Sequence, residues 1–312
     1  EATMAIGFYN FQKLHNEELQ KNVMKRFEEI VTQNAFVEGK YNTSFQDRFA
    51  KMQSAGHCDL VANGTDALEI ALQAYGVGAG DKVAVQAISF YASAEAIINV
   101  GAIPVFVDVE PNTGLICLDS FKRVSEKHDL KAVMCVHIYG LPVDISGLEA
   151  LCAPKNIKIV EDGAQSQGGF YANKKPIGST NNLTTYSFYP TKNLGAFGDA
   201  GAILSSDDKL SEEIVSIRNH GRSADGHKLI GRNSRCDHLQ AAVLDLKLNT
   251  IEDENKNRKE IAAWYFDALK NIDVELVPEK YIPLSSWHLF PIRLKDKDQK
   301  YALREFLNSK KI

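Results

Sequence analysis

The 312-residue sequence has no apolar run long enough to cross a bilayer and no N-terminal signal pattern, so nothing in it reads as a membrane span or an export leader. It has no basic excess either. Lys and Arg number 36 against 40 Asp and Glu, giving a formal net charge of −4 and a pI near 6.1. That balance removes the electrostatic case for a nucleic-acid or anionic-membrane partner. Cysteine is sparse: Cys58, Cys117, Cys135, Cys152 and Cys236 are scattered, odd in number and free of any C-x-x-C pairing. They read as reduced thiols of a cytoplasmic protein, with Cys135 in an apolar run that belongs to the core. No His, Cys and carboxylate cluster has a metal-site spacing, so no metal is expected. No G-x-G-x-x-G follows a strand and opens a helix, and neither G-x-S-x-G nor a Walker loop is present. A nicotinamide enzyme is therefore unsupported; Gly195, Gly198 and Gly201 have the wrong spacing and lead into a strand.

What is present is an alternation. Strand-like runs at Lys82–Ile88, Ile103–Val109, Ala132–Ile138 and Ile157–Asp162 are separated by helical stretches at Ala92–Val100, Leu118–Lys127 and Ile145–Ala153. Near-continuous apolar strands between helices imply an α/β fold with a mainly parallel sheet covered on both faces. Ligands in such folds sit beyond the carboxyl ends of the strands, here marked by Phe90, His137, Asp162 and Lys192. A helix is expected from 206 to 225, and a long charged one over Asn249–Leu269. Strands at Val274–Val277 and Trp287–Leu294 and a helix at Tyr301–Ser309 complete the reading. A large domain with an N-terminal arm is expected over 1–245, and the start of a smaller α+β domain over 246–312.

Two stretches carry chemistry. Leu183–Phe188 reads as a strand that Pro190 stops, followed by Lys192 on a glycine-rich turn (Gly195, Gly198, Gly201). A lysine withdrawn from water there can serve as a nucleophilic amine, although a lone turn lysine is far more often solvated. Asn63-Gly-Thr65 precedes a helix with apolar residues at Ala67, Leu68, Ala71 and Leu72. Free N–H groups at such a start cradle a phosphate; a plain cap by Asn63 or Thr65 is the simpler alternative.

Taken together and in order, these segments resemble the DegT/DnrJ/EryC1/StrS sugar aminotransferases. The carriers are Asn63-Gly-Thr-Asp-Ala-Leu68, Ser89-Phe-Tyr-Ala-Ser-Ala-Glu-Ala-Ile97, Pro104-Val-Phe-Val-Asp108, Val136-His-Ile-Tyr-Gly140, Glu161-Asp-Gly-Ala-Gln165, Ser187-Phe-Tyr-Pro-Thr-Lys-Asn-Leu-Gly195 and Asn233-Ser-Arg-Cys-Asp-His-Leu-Gln-Ala-Ala242. The resemblance implies the type I fold of aspartate aminotransferase and pyridoxal 5′-phosphate as cofactor. Lys192 would be the covalent attachment point and proton carrier, and Asp162 the partner of the pyridine nitrogen. Gln165 would sit near the ring hydroxyl and Phe90 on the ring face. Gly64, Thr65 and Ser187 would hold the phosphate, and Asn233 would reach it from the other subunit of a homodimer. Taken alone, Phe90 reads as core and Asn233 as a helix-start residue. Tyr9, His137, His220 and His288 are candidate substrate contacts, with hydrogen-bonded structural histidines as the alternative.

The activity implied is transfer of an amino group from an amino acid, glutamate by expectation, to a nucleotide-linked keto-sugar. Its products would feed surface polysaccharide (lipopolysaccharide O-antigen) or antibiotic sugars. The Asn-Gly-Thr-Asp-Ala-Leu form resembles members acting at sugar C3 more than those acting at C4. One branch of the family carries histidine in place of the attachment lysine and dehydrates its sugar, so Lys192 favours transamination. A pyridoxal-phosphate sugar dehydratase and a non-catalytic regulatory protein binding the cofactor are the alternatives. Members of the family usually continue well past Ile312, through a His-Tyr-Pro-type motif that completes the small domain.

Overall fold

In the computed structural model, which describes residues 5–312, the alternation read from the sequence becomes a seven-stranded sheet flanked by helices. The chain opens with α1 (Phe11–Leu14), α2 (Glu17–Gln33) and α3 (Lys40–Met52). Then follow β1 (His57–Val61), α4 (Gly64–Ala74), β2 (Lys82–Gln86), α5 (Tyr91–Asn99), β3 (Ile103–Val107), α6 (Leu118–Lys127), β4 (Ala132–Val136), α7 (Ile145–Cys152) and β5 (Lys158–Asp162). The next elements are β6 (Leu183–Ser187), β7 (Gly201–Ser205), α8 (Asp208–Arg218), a hairpin of β8 (Arg222–Ser223) and β9 (Gly226–His227), α9 (His238–Lys247) and α10 (Ile251–Leu269). A short pair, β10 (Glu275–Leu276) and β11 (Ile292–Arg293), precedes α11 (Lys297–Ser309).

The sheet order is β1-β7-β6-β5-β4-β2-β3. Strands β3, β2, β4, β5 and β6 pair in parallel, whereas β7 runs against both of its neighbours. The mainly parallel sheet between helices is the α/β arrangement expected from the alternation. Strand periodicity distributes β4 between two cores. Val133 and Cys135 face a cluster with Phe121, Leu148 and Phe266, while Ala132 and Met134 face one with Leu68, Ile97 and Ile214. Both faces of the central strands are thus covered, which is why they read as unbroken apolar runs.

Strand β1 joins the sheet although its residues give no clear strand signal. Its pairing with β7 sets Val61 opposite Gly201, which in turn faces Ser187 on β6. This register brings the start of α4 to the end of β6. The helix expected over 206–225 stops at Arg218. Gly221 adopts φ +71° and donates to the Ser216 carbonyl at 2.8 Å, turning the chain into the β8–β9 hairpin. The strand expected from Trp287 shortens to Ile292–Arg293 because Trp287 takes a left-handed φ of 47°. Its indole joins Ala262, Phe266 and Val277 in the core beside β4.

A third core seats the N-terminal helices. Phe49 on α3 meets Tyr186 edge-on at 5.1 Å and Phe188 at 5.3 Å, and Phe45 meets Phe188 at 5.3 Å. These rings fix the back of the strand that leads to Lys192. Phe49→Ala is expected to cost about 3–5 kcal/mol of unfolding free energy, since the ring is fully buried. Urea denaturation of the variant checks it, and a loss below about 1 kcal/mol would show that this core can collapse around the gap.

Candidate active site

The site forms where the carboxyl ends of β4, β5 and β6 meet the start of α4. A cavity of about 710 Å³ opens there, lined by Tyr9, Gly64, Thr65, Phe90, Asp162, Gln165, Ser187, Lys192 and His288 among others. The nine residues named from sequence in that list come from six separate segments.

At the start of α4, Asn63 is the cap. Its side-chain oxygen accepts from the Asp66 N–H at 2.8 Å, and its carbonyl accepts from Ala67 at 3.1 Å. The N–H groups of Gly64 and Thr65 precede these and lie at the cavity wall. A Cβ at Gly64 would stand 2.6 Å from the Ser187 Cβ, so only glycine permits the approach. The cap is made, and it does not exclude the cradle, the other reading of the sequence. This corner suits a phosphate, with positive helix-end amides and a hydroxyl converging.

Asp162 ends β5 and is 5% exposed. Its carboxylate accepts from the Ala164 N–H and the Ser93 hydroxyl, each at 3.0 Å. Burial raises its pKa, and these bonds together with the charge of Lys192 offset that only in part. A cationic nitrogen in the cavity would complete its shell. Ser93 carries no distinguishing sequence signal beyond its place in the Ser89–Ile97 segment. Gln165 turns its side-chain oxygen to the Tyr139 N–H, which leaves its amide group to donate.

Lys192 follows Pro190 on the turn after β6. Burial lowers its pKa, against the pull of Asp162. The amine is thereby made more nucleophilic near neutral pH, as attack on a carbonyl requires. The turn is held from behind by Lys247, whose Nζ donates to the Gly195 carbonyl at 2.7 Å. Gly195 itself has no room for a side chain: a Cβ would meet the Pro190 carbonyl oxygen at 2.5 Å. Phe90 stands 75% exposed at the cavity rim, not in the core.

Three sequence candidates do not line this cavity. His137 is fully buried, and the expectation of a substrate contact there is corrected. Val136 and Ile138 line the cavity, so the residue between them turns away. Its Nδ1 accepts from the Val143 N–H at 3.1 Å, which leaves the ring proton on Nε2 to bond Glu161 at 2.9 Å. His220 lies at a turn with φ 60°, beside Arg222, His227 and Arg235, and is likewise no contact of this cavity. Asn233 is exposed and bridges Asn219 through backbone, outside its own chain's cavity.

Glu161, which received no role from sequence, is the best-satisfied buried charge near the site. It accepts from His137, from Tyr171 at 2.7 Å, from Thr180 at 2.6 Å and from Asn182 at 3.0 Å.

A lysine-centred cavity at the carboxyl ends of a mixed α/β sheet, with an anion cradle and a buried carboxylate, defines a carbonyl-handling enzyme class. A family model for the DegT/DnrJ/EryC1/StrS aminotransferase family matches residues 17–312. The chain belongs to that family. It is 38% identical over 304 residues to the dTDP-3-amino-3,6-dideoxy-alpha-D-galactopyranose transaminase of Aneurinibacillus thermoaerophilus, covering 96% of this chain and 82% of that protein. It is 37% identical over 276 residues to a pleiotropic regulatory protein of Geobacillus stearothermophilus, covering 88% and 73%. The crystal structure of S. venezuelae DesV in complex with a ketimine intermediate superposes with a TM-score of 0.93 at 32% identity, covering 99% of this chain and 82% of that one.

Burial alone would raise the Glu161 carboxyl, but hydrogen bonds from His137, Thr180 and Tyr171 outweigh it and hold the group below its ordinary value. Its stabilising effect is therefore complete above the unfolded carboxyl value of roughly 4.3 and is lost as pH falls through the lower folded value. Glu161→Gln should cost about 1–3 kcal/mol at neutral pH, because an amide cannot accept from all four donors. It should also lose less stability than the wild type below about pH 4.3. Denaturation midpoints at pH 7 and pH 3.5 test this, and parallel losses in the two proteins would refute it.

Proposed function

We propose that this protein transfers an amino group from an amino acid to a nucleotide-linked keto-sugar, with pyridoxal 5′-phosphate held at Lys192. The carrying observation is the convergence of Lys192, Asp162 and the Gly64–Thr65 helix start on one cavity. The residues fit the cofactor. Gly64 leaves space beside Ser187 that a Cβ would fill, Asp162 is buried without a full shell, and Lys192 is an amine with lowered basicity. Gly64, Thr65 and Ser187 would hold the phosphate, Asp162 the protonated ring nitrogen, Gln165 the ring hydroxyl, and Phe90 would cover one ring face.

When bound, the cofactor supplies an electron sink for the carbon that bears the amine. Asp162 keeps the ring nitrogen protonated through a charge-assisted bond. Lys192 takes a proton from that carbon and returns it elsewhere, a task suited to an amine whose pKa is brought toward neutrality by burial. Wall residues such as Phe90 limit water at the reacting atoms.

Glutamate is the proposed donor, and carbon 3 of the sugar the proposed acceptor position. The Asn63–Leu68 form and the 3-amino product named for the Aneurinibacillus relative support the latter. Lysine at 192 favours transamination over dehydration. The regulatory name of the Geobacillus relative keeps a role without turnover as a second reading. A homodimer with shared sites is proposed because Asn233 is exposed and away from its own cavity, while Phe90 at the cavity and its neighbour Tyr91 stand about three-quarters exposed.

Incubating the protein with glutamate and a panel of nucleotide 3-keto and 4-keto sugars, read by product mass, tests the function. A gain matching replacement of the ketone oxygen by an amine is expected, and no such product from any sugar with any donor would refute transamination. Lys192→Ala should lose the visible absorbance band and the borohydride-fixed adduct, and a persisting adduct would place the attachment elsewhere. Mixing refolded Lys192→Ala and Asn233→Ala subunits should restore about a quarter of wild-type activity if sites are shared across a two-fold axis. No recovery from two variants that each dimerise would show that Asn233 serves its own chain or none.

A further inference from the structure

A chain of buried amides runs beneath Lys192 and ends on a histidine. The residue after the lysine, Asn193, is 2% exposed. Its Nδ2 donates to the Ser286 carbonyl at 2.7 Å and to Asn255 Oδ1 at 2.9 Å. A backbone carbonyl only accepts, so that end of Asn193 must be its NH₂ group. The other end, Oδ1, is therefore an acceptor. It lies 3.1 Å from His288 Nδ1, which must carry a proton to make the bond. The series continues from Asn255 Nδ2 to the Gln167 carbonyl at 2.9 Å, and from Gln167 Nε2 to the Ser187 carbonyl at 2.6 Å.

The tautomer of His288 follows from this chain. With Nδ1 protonated, a neutral ring presents a bare lone pair at Nε2. That nitrogen has no protein partner among the described residues, and His288 lines the cavity that also holds Lys192. Burial, then the positive charges of Lys192 and Arg258, pushes the His288 pKa down to about 3, so the ring stays neutral across any working range.

We propose that His288 is a positioning residue for Lys192: Asn193 fixes its ring so that Nε2 accepts a hydrogen bond from the lysine amine whenever that amine is free. The proposal rests on the functional reading above, since only an enzyme that releases and recaptures the lysine has a use for such an acceptor. An unbound amine on a flexible four-carbon stem samples many rotamers, and an acceptor that cannot itself ionise would hold it without taking its proton. The arrangement also explains the amide series. Any side chain at 193 unable to donate twice and accept once would let the imidazole turn.

Two measurements test this. In ¹⁵N-histidine spectra of the protein with cofactor bound, the resonance lost in His288→Phe should show a protonated Nδ1, a bare Nε2 and no titration between about pH 5 and 8, the window in which an ordinary histidine titrates. A protonated Nε2, or a titration in that range, would overturn the proposal whatever the enzyme does. The second measurement follows the amino-acid half-reaction by stopped flow, with the sugar half-reaction run separately. His288→Phe should slow both halves on the order of 100-fold with little change in KM. His288→Gln, whose amide can donate to Asn193 and turn its oxygen to the cavity, should recover most of the rate. Loss confined to the sugar half would assign His288 to sugar recognition and overturn the positioning role. A wild-type protein that converts no amino donor would refute the functional reading and remove the role with it, while the spectra would still report the ring's state.

Discussion

Two adjacent carboxylates at the end of one strand set the terms for the rest of the molecule. Glu161 and Asp162 point to opposite faces of β5, and both are buried. Glu161 meets four donors and is held ionised. Asp162 meets two, and its pKa stays raised. A buried charge left short of partners is expensive, so the cost of Asp162 has to be offset by stabilisation elsewhere in the fold. The saturated carboxylate supplies part of it, joining β4 through His137, β5, the Tyr171 loop and the entry to β6. Its unsaturated neighbour is thereby left available for a cationic ligand.

The second constraint is distance. A phosphate site built from backbone amides would work only if chain segments approach closely, and side chains at two points would prevent it. Gly201 would place a Cβ 2.4 Å from the Asn63 carbonyl oxygen, Gly64 would meet Ser187, and Gly195 would meet Pro190. The first two belong to that corner, and the third closes the Lys192 turn. The antiparallel β7, the exception in the sheet, is what allows it: by returning between β6 and β1 it carries Gly201 past the start of α4.

How legible this was in the sequence depended on the range of the interaction. The strands and helices of the parallel core were readable because burial on both faces leaves an unbroken apolar run, and helices against it keep a 3.6-residue period. Strand β1 was not, since Cys58 and Asp59 give no alternation and its place is set by pairing with β7. The Lys192 turn, Asp162 and the Gly64 helix start could be assembled because each is a local motif and their order resembles a known family. His137 was misplaced for a definite reason. Its motif marks the right strand end, but the side of the sheet depends on a one-residue parity that an irregular Ile138–Gly140 turn hides, with Tyr139 at φ 62°. Ser93 and Asn255 had no chance of being found, because their partners lie 69 and 62 residues away.

The Lys192 turn shows how the fold reconciles rigidity with a mobile amine. In the proposed role the lysine would move between bonded and free states, yet its Cα must not wander. Here the residues around it are pinned by different means: Asn193 by side-chain amides, Gly195 by the buried Lys247 cation, and Ala196 by a backbone bond to Phe188 at 2.8 Å. Lys247 is a costly device, since burial lowers its pKa and the carboxylate that pulls against this is the partly exposed Glu254. An uncharged donor in its place would hold the carbonyl as well. What a cation adds is a charge-assisted bond to the Gly195 carbonyl, of the kind that is shorter and stronger than one from a neutral donor. The backbone on either side of the Lys192 amine is thus fixed by several independent bonds while the side chain itself is left unbonded to protein among the described residues.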